Sequence, residues 1–121
     1  ATAPDEVLFP DIFALYRDAA ADGSPVFSFN VSYQGHGPYS DQEVYRGLHF
    51  TDGRYSQESA NILDNYLGSV QNTAENLRAL LDSFDTRPEP VVVVVYGDHP
   101  AIPGGQSRRY RRGRPAYLPE P

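Results

Sequence analysis

The sequence predicts an α/β fold built on one parallel β-α-β unit, a sheet flanked by helices. Three observations carry that prediction. Residues 91–95 are five consecutive valines. A run apolar at every position suits a strand covered on both faces, since a half-buried strand alternates apolar with polar. Residues 26–32, Val-Phe-Ser-Phe-Asn-Val-Ser, are β-branched and aromatic and are bounded by turn formers, so they read as a second strand. Between the two, residues 56–84 carry apolar side chains at three- and four-residue steps, the period of a helix. A strand-helix-strand crossover makes its two strands parallel and is right-handed in nearly all cases.

Taken in order, residues 1–10 read as an extended lead-in with Pro4 and Pro10 at its turns. Ile12, Leu15, Tyr16 and Ala19 then form a helical stripe, with Asp11 as cap and Asp22-Gly23 as stop, which predicts a helix over 10–21. After the first strand, residues 33–39 place His36 between Gly35 and Gly37 in a loop closed by Pro38. Residues 40–56 hold no period and read as loop with one short helical turn. The long helix carries Ile62, Leu63, Tyr66, Leu67, Val70, Leu77, Leu80, Leu81 and Phe84, with Gly68 and Asn72 predicting a bend at its middle. Residues 85–90, with two prolines, turn the chain into the valine run. Gly97 then provides a sharp turn at the end of that strand.

The charge is unevenly placed. Residues 1–105 hold fifteen acids and five arginines, a net of −10, whereas residues 106–121 hold five arginines and one glutamate, a net of +4. An acidic body disfavours binding to a phosphate backbone, so no nucleic-acid partner is expected, and it suits divalent cations. The division predicted is a domain segment over 1–105 and a basic, proline-rich, disordered tail over 106–121. No cysteine is present, which excludes disulfides and thiolate chemistry. There is no methionine, so residue 1 is read as the start of a processed chain or of a piece of something longer. No apolar run approaches a membrane span and nothing reads as a signal peptide, so the segment is expected to be soluble.

Chemistry is expected at the end of the valine run. Asp98 and His99 offer a carboxylate oxygen and an imidazole nitrogen, both good ligands for Mn²⁺ or Zn²⁺. The competing reading makes Asp98 a turn cap and His99 an ordinary loop histidine. Parallel strands end at one sheet edge, and sites in open α/β sheets form there. The loop bearing His36 and the one bearing Asp98 and His99 should therefore share an edge. His36 could bind a substrate phosphate or donate a proton. Asn30, Gln34 and Tyr39 are less specific neighbours. His49 is read as structural or exposed, and Asp41, Glu43 and Asp52 are further carboxylates without diagnostic spacing. The cluster Arg108, Arg109, Arg111, Arg112 and Arg114, with Tyr110, could hold anionic headgroups, although a solvated tail explains it as well.

Three segments together, PVFSFNVSYQGHGPY, NYLGSVQNTAENLRALL and VVVVVYGDHP, resemble the carboxyl-terminal part of the extracellular lipoteichoic acid synthase-like phosphoglycerol transferases. Those enzymes belong to the sulfatase and alkaline phosphatase superfamily. The resemblance covers residues 25–100 and implies an incomplete portion of a larger α/β domain, tethered by preceding membrane helices outside the cytoplasm. It implies transfer of phosphoglycerol, or phosphoethanolamine, from a phospholipid headgroup through a phosphothreonine. By motif, Asp98 and His99 would be metal ligands, with Mn²⁺ the expected ion and Mg²⁺ or Zn²⁺ the alternatives, and His36 would contact the substrate. The family's threonine nucleophile and glutamate ligand lie upstream of anything matched, and Thr2, Thr51, Thr73 and Thr86 lack that context. The pattern departs at Ala74, where an aspartate is common, and in the basic tail. A phosphotransfer domain lacking its nucleophile is expected to be inactive alone and to need the amino-terminal part of the same domain as partner. The alternatives are a sulfatase or phosphodiesterase relative, and a non-catalytic interaction module whose tail binds anions.

Overall fold

The computed structural model describes residues 4–45 and 55–101. His49, Thr2, Thr51, Asp52 and the arginine cluster lie outside the described residues. So does the tail over 106–121. The described residues form two helices, α1 (Asp5–Ala19) and α2 (Gln57–Phe84). They divide into two compact units, one holding residues 4–35 and 71–98, the other 36–45, 55–70 and 99–101.

Helix α1 begins five residues earlier than its apolar stripe predicts. Pro4 is its N-cap, and its carbonyl accepts from the Val7 and Leu8 amides. Asp5 and Glu6 in the first turn suit the positive end of the helix dipole. The expected lead-in is thus helical, and Pro10 lies inside it. A proline there removes one backbone hydrogen bond and crowds the preceding turn, so the remaining contacts of the helix have to offset it. Ile12 is buried, and Phe13 and Tyr16 meet Phe84 edge-on at ring separations of 5.6 and 5.1 Å. Leu15, expected on the stripe, is 69% exposed.

Asp5 ties this unit together. It is fully buried, and its carboxylate accepts from the Ser32 hydroxyl and, at 2.5 Å, from the Thr73 hydroxyl. Its backbone amide donates to Gln34 Oε1, and Gln34 Nε2 donates to Asn72 Oδ1. A buried carboxylate is tolerated only where donors replace its hydration. Two hydroxyls from chain positions 27 and 68 residues away do so here.

At the other end of the unit, Glu89 accepts from the Tyr16 hydroxyl at 2.8 Å and from Arg87 Nε at 2.9 Å. The Arg87 hydrogen bond holds the Glu89 carboxyl below its ordinary range, and the Glu89 hydrogen bond holds the Tyr16 phenol above its own. A carboxyl lowered on folding contributes stability above its unfolded value, about 4.3, and that contribution is lost as pH falls through the folded value. A phenol raised on folding contributes below about 10 and loses its contribution as pH rises through the folded value. Tyr16→Phe keeps the ring against Phe84 and removes the hydroxyl. Above pH 10, thermal melts should therefore show the wild type losing stability relative to Tyr16→Phe.

The predicted strands are not formed among the described residues. Neither 26–32 nor 91–95 has a ladder partner there, so the parallel sheet is absent from this part of the structure. The apolar side chains show why. Phe27 is 91% exposed and Val92 88%, and Phe29, Val31, Val94 and Val95 are exposed with them. A strand apolar on both faces needs a neighbour at its edge and a layer over each face. The described residues supply neither.

Helix α2 begins and ends where its period predicts and runs without a break through Gly68 and Asn72. Its buried face differs from the predicted one. In the second unit Asp64, Asn65, Gly68 and Ser69 are buried, while Leu67 and Val70 are exposed. Gly68 is there because Tyr45 lies against it. A Cβ at position 68 would come within 2.6 Å of Tyr45 Cγ and 2.9 Å of its Cβ. These atoms sit close to the backbone and cannot swing away. Alanine would gain about 1 kcal/mol in helix propensity, but overpacking costs about 1–3 kcal/mol. Gly68→Ala should therefore destabilise the protein by roughly 1 kcal/mol in denaturant titrations. Gly97→Ala is the contrast. Nothing lies within 4 Å of a Cβ there and its φ is not positive; the chain bends at 98–99, directly after it. That substitution should leave stability within about 0.5 kcal/mol.

Candidate functional site

His36 and His99 are 63 positions apart in the chain and meet in the second unit. Their rings lie 5.6 Å apart, edge to face at 87°. Both side chains are exposed. His36 Nδ1 is 2.5 Å from the Gly37 carbonyl oxygen, and His99 Nδ1 is 3.1 Å from that of Pro100. A carbonyl oxygen only accepts, so Nδ1 donates in each ring. Histidines that bind metals are commonly oriented in this way, by Nδ1–H donation to a backbone carbonyl.

The loop that carries His36 is built by local sequence and by helix α2. Gly35 and Gly37 flank the ring, and the Gly37–Pro38 peptide is cis. Tyr39 packs on Tyr66 at 5.3 Å, and burial there raises its phenol above the ordinary value. The backbone of 40–45 is then held by Asn61 and Asn65 of α2. Asp98 immediately precedes His99, in the chain bend at 98–99, and its side chain is exposed.

Other polar residues named above make contacts of their own. Gln34 belongs to the Asp5 network, and Asn30 Nδ2 donates to Ser28 Oγ. Asp41 accepts from Gln42 Nε2. Thr73 donates to Asp5, and Thr86 to the Ser83 carbonyl. Among the described residues no three histidines, cysteines or carboxylates cluster as a complete metal shell would require. The donor chemistry of Asp98 and His99 suits a divalent ion. Even a tetrahedral zinc site, however, usually takes three protein ligands.

The model of the sulfatase family matches residues 1–120. The chain belongs to the sulfatase family. The sulfatase-family chain is 30% identical over 97 residues to a protein of Rhizobium meliloti (strain 1021) whose name assigns it to cyclic beta-1,2-glucan modification. That alignment takes in 80% of this chain and 15% of the relative, so the chain spans a small part of the relative's length. No solved structure matches. The superfamily expected from the three motifs is thereby shown, and with it an α/β relationship. No described helix is long and apolar enough to cross a membrane.

Asp5, Asn65 and Gly68 were not singled out as site or anchor residues by sequence reasoning. Asp5 sat in a stretch read as lead-in, and Gly68 was read as a helix weakness. The available signal was a row of small and polar residues at 61, 64, 65, 68 and 69, which marks a second face on α2.

Proposed function

We propose that this chain supplies part of the reaction centre of a metal-dependent phosphoglycerol transferase of the sulfatase family. Asp98 and His99 hold a divalent ion, Mn²⁺ in the first instance, and His36 contacts the group being transferred. The meeting of His36 with His99 carries the reading, because it joins the substrate-binding motif to the metal-binding one. Bound there, the ion would neutralise charge on the phosphoryl oxygens and lower the pKa of an oxygen nucleophile.

The chain's own residues do the rest of what can be assigned. With Nδ1 against the Gly37 carbonyl, His36 is the side chain that contacts a hydroxyl of glycerol or sugar or a phosphate oxygen. The donor is a phospholipid headgroup. The ester bond between diacylglycerol and phosphorus breaks, diacylglycerol leaves with a proton, and phosphorus ends on the acceptor oxygen. The name of the Rhizobium relative favours a glucan hydroxyl as that acceptor. The nucleophile comes from outside the residues assigned here, so the 121-residue chain alone should turn nothing over.

The test uses the protein that bears this chain, phosphatidylglycerol vesicles and Mn²⁺, with and without a cyclic glucan. Release of diacylglycerol with glycerol phosphate joined to the glucan supports the reading. Sulfate or phosphate ester hydrolysis without headgroup transfer would replace it with a sulfatase or phosphodiesterase function.

A further inference from the structure

We infer that Asn65 is a positioning residue for His36, acting through the backbone of residues 40–45. The inference rests on the proposed role of His36. Asn65 is buried at 5% exposure, and its amide uses its full hydrogen-bonding capacity on one stretch of backbone. Nδ2 donates to the Ser40 carbonyl at 2.9 Å and to the Gln42 carbonyl at 2.7 Å. Oδ1 accepts from the Val44 amide at 3.0 Å and the Tyr45 amide at 3.4 Å. One turn earlier on the same helix face, Asn61 Nδ2 donates to the Asp41 carbonyl at 2.7 Å. Two asparagines thus hold three consecutive carbonyls and two amides.

Asparagine is the side chain that fits. Aspartate has the acceptors and no donor, and alanine has neither. The clamp starts at Ser40, four residues after His36. Gly37, Pro38, with its restricted φ, and Tyr39, packed on Tyr66, occupy the interval, so two of its three residues are held. The register of 40–45 on α2 therefore sets where the His36 ring lies, including its edge-on approach to His99. All of these residues belong to the second unit. An asparagine serving stability alone would require only that its own hydrogen bonds be satisfied. Here the bonds fix the backbone that leads out of the histidine loop.

The experiment is nuclear magnetic resonance on the labelled chain, reading the nuclear Overhauser effect between the His36 and His99 ring protons and the ¹⁵N signature of the His36 tautomer. Wild type should show the ring contact and the Nδ1–H form. Asn65→Ala should lose both. Asn65→Asp, which keeps the acceptors and the volume, should weaken the ring contact at least twofold, and this variant carries the test should Asn65→Ala not fold. Leu80→Ala, a core change in the first unit, should lower the melting temperature and leave both signals intact. An unchanged ring contact and tautomer in Asn65→Asp and in folded Asn65→Ala would overturn the inference. A loss of the signals equal to that in Leu80→Ala would overturn it as well. The His36 role is tested separately: full headgroup transfer by His36→Ala in the protein that bears the chain would refute that role whatever the Asn65 spectra show.

Discussion

His99→Ala should reduce Mn²⁺ affinity by more than about 100-fold, since loss even of a residue that only orients a ligand costs about 10–100-fold. Its imidazole is held by the contact of Nδ1 with the Pro100 carbonyl at 3.1 Å. Asp98→Asn keeps an oxygen donor and removes the charge, so a smaller loss is expected, on the order of tenfold. Isothermal titration calorimetry of Mn²⁺ into wild type and the two variants reads these ratios. His36→Ala should leave the affinity within about threefold, because His36 is assigned to substrate. Equal losses at His36 and His99 would make His36 a ligand instead.

Asp5→Ala should be the most destabilising single substitution in the first unit. It removes the shared acceptor of the Ser32 and Thr73 hydroxyls from a fully buried position. Hydrogen bonds to a charged group contribute about 1.5–3 kcal/mol each, and relief of a buried charge offsets part of that. A net loss of about 2–4 kcal/mol follows. That is a large share of the total stability of a small domain, and it corresponds to a melting point lower by on the order of 10 °C. Asp5→Asn keeps one acceptor oxygen and should lose roughly half as much. A melting point within about 2 °C of wild type for Asp5→Ala would show that the network is not formed in solution.

Much of the local structure was legible in the residues. The period of α2 gives both its ends. The placement of His36 and His99 after two strand-like runs predicted that their loops would meet, and the rings do lie at 5.6 Å. That meeting was argued from a parallel sheet, and the sheet is absent from the described residues. Hydrophobic pattern reports what a strand requires on its two faces, whereas pairing depends on which chain segments are there to supply it. Val92 and Phe27 carry the pattern and remain exposed.

The polar framework was less legible for a physical reason. Apolar periodicity assigns Leu67 and Val70 to the inside of α2, yet the face turned inward in the second unit is Asn65, Gly68 and Ser69. Single polar residues acquire meaning only through their partners, and the partners of Asn65 lie 20 or more residues away. Asp5 was masked by the prolines on either side of it. Those prolines suggested extended chain, while Pro4 in fact serves as the N-cap of α1.

The central claim is that Asp98 and His99 hold the ion and His36 lies beside it. Paramagnetic broadening by Mn²⁺ tests this most directly. In the labelled chain, small additions of Mn²⁺ should broaden the signals of Asp98 and His99 first and those of His36 next. Broadening that begins at Asp41 and Glu43, or elsewhere away from the 98–99 bend, with His99 unaffected, would contradict the account.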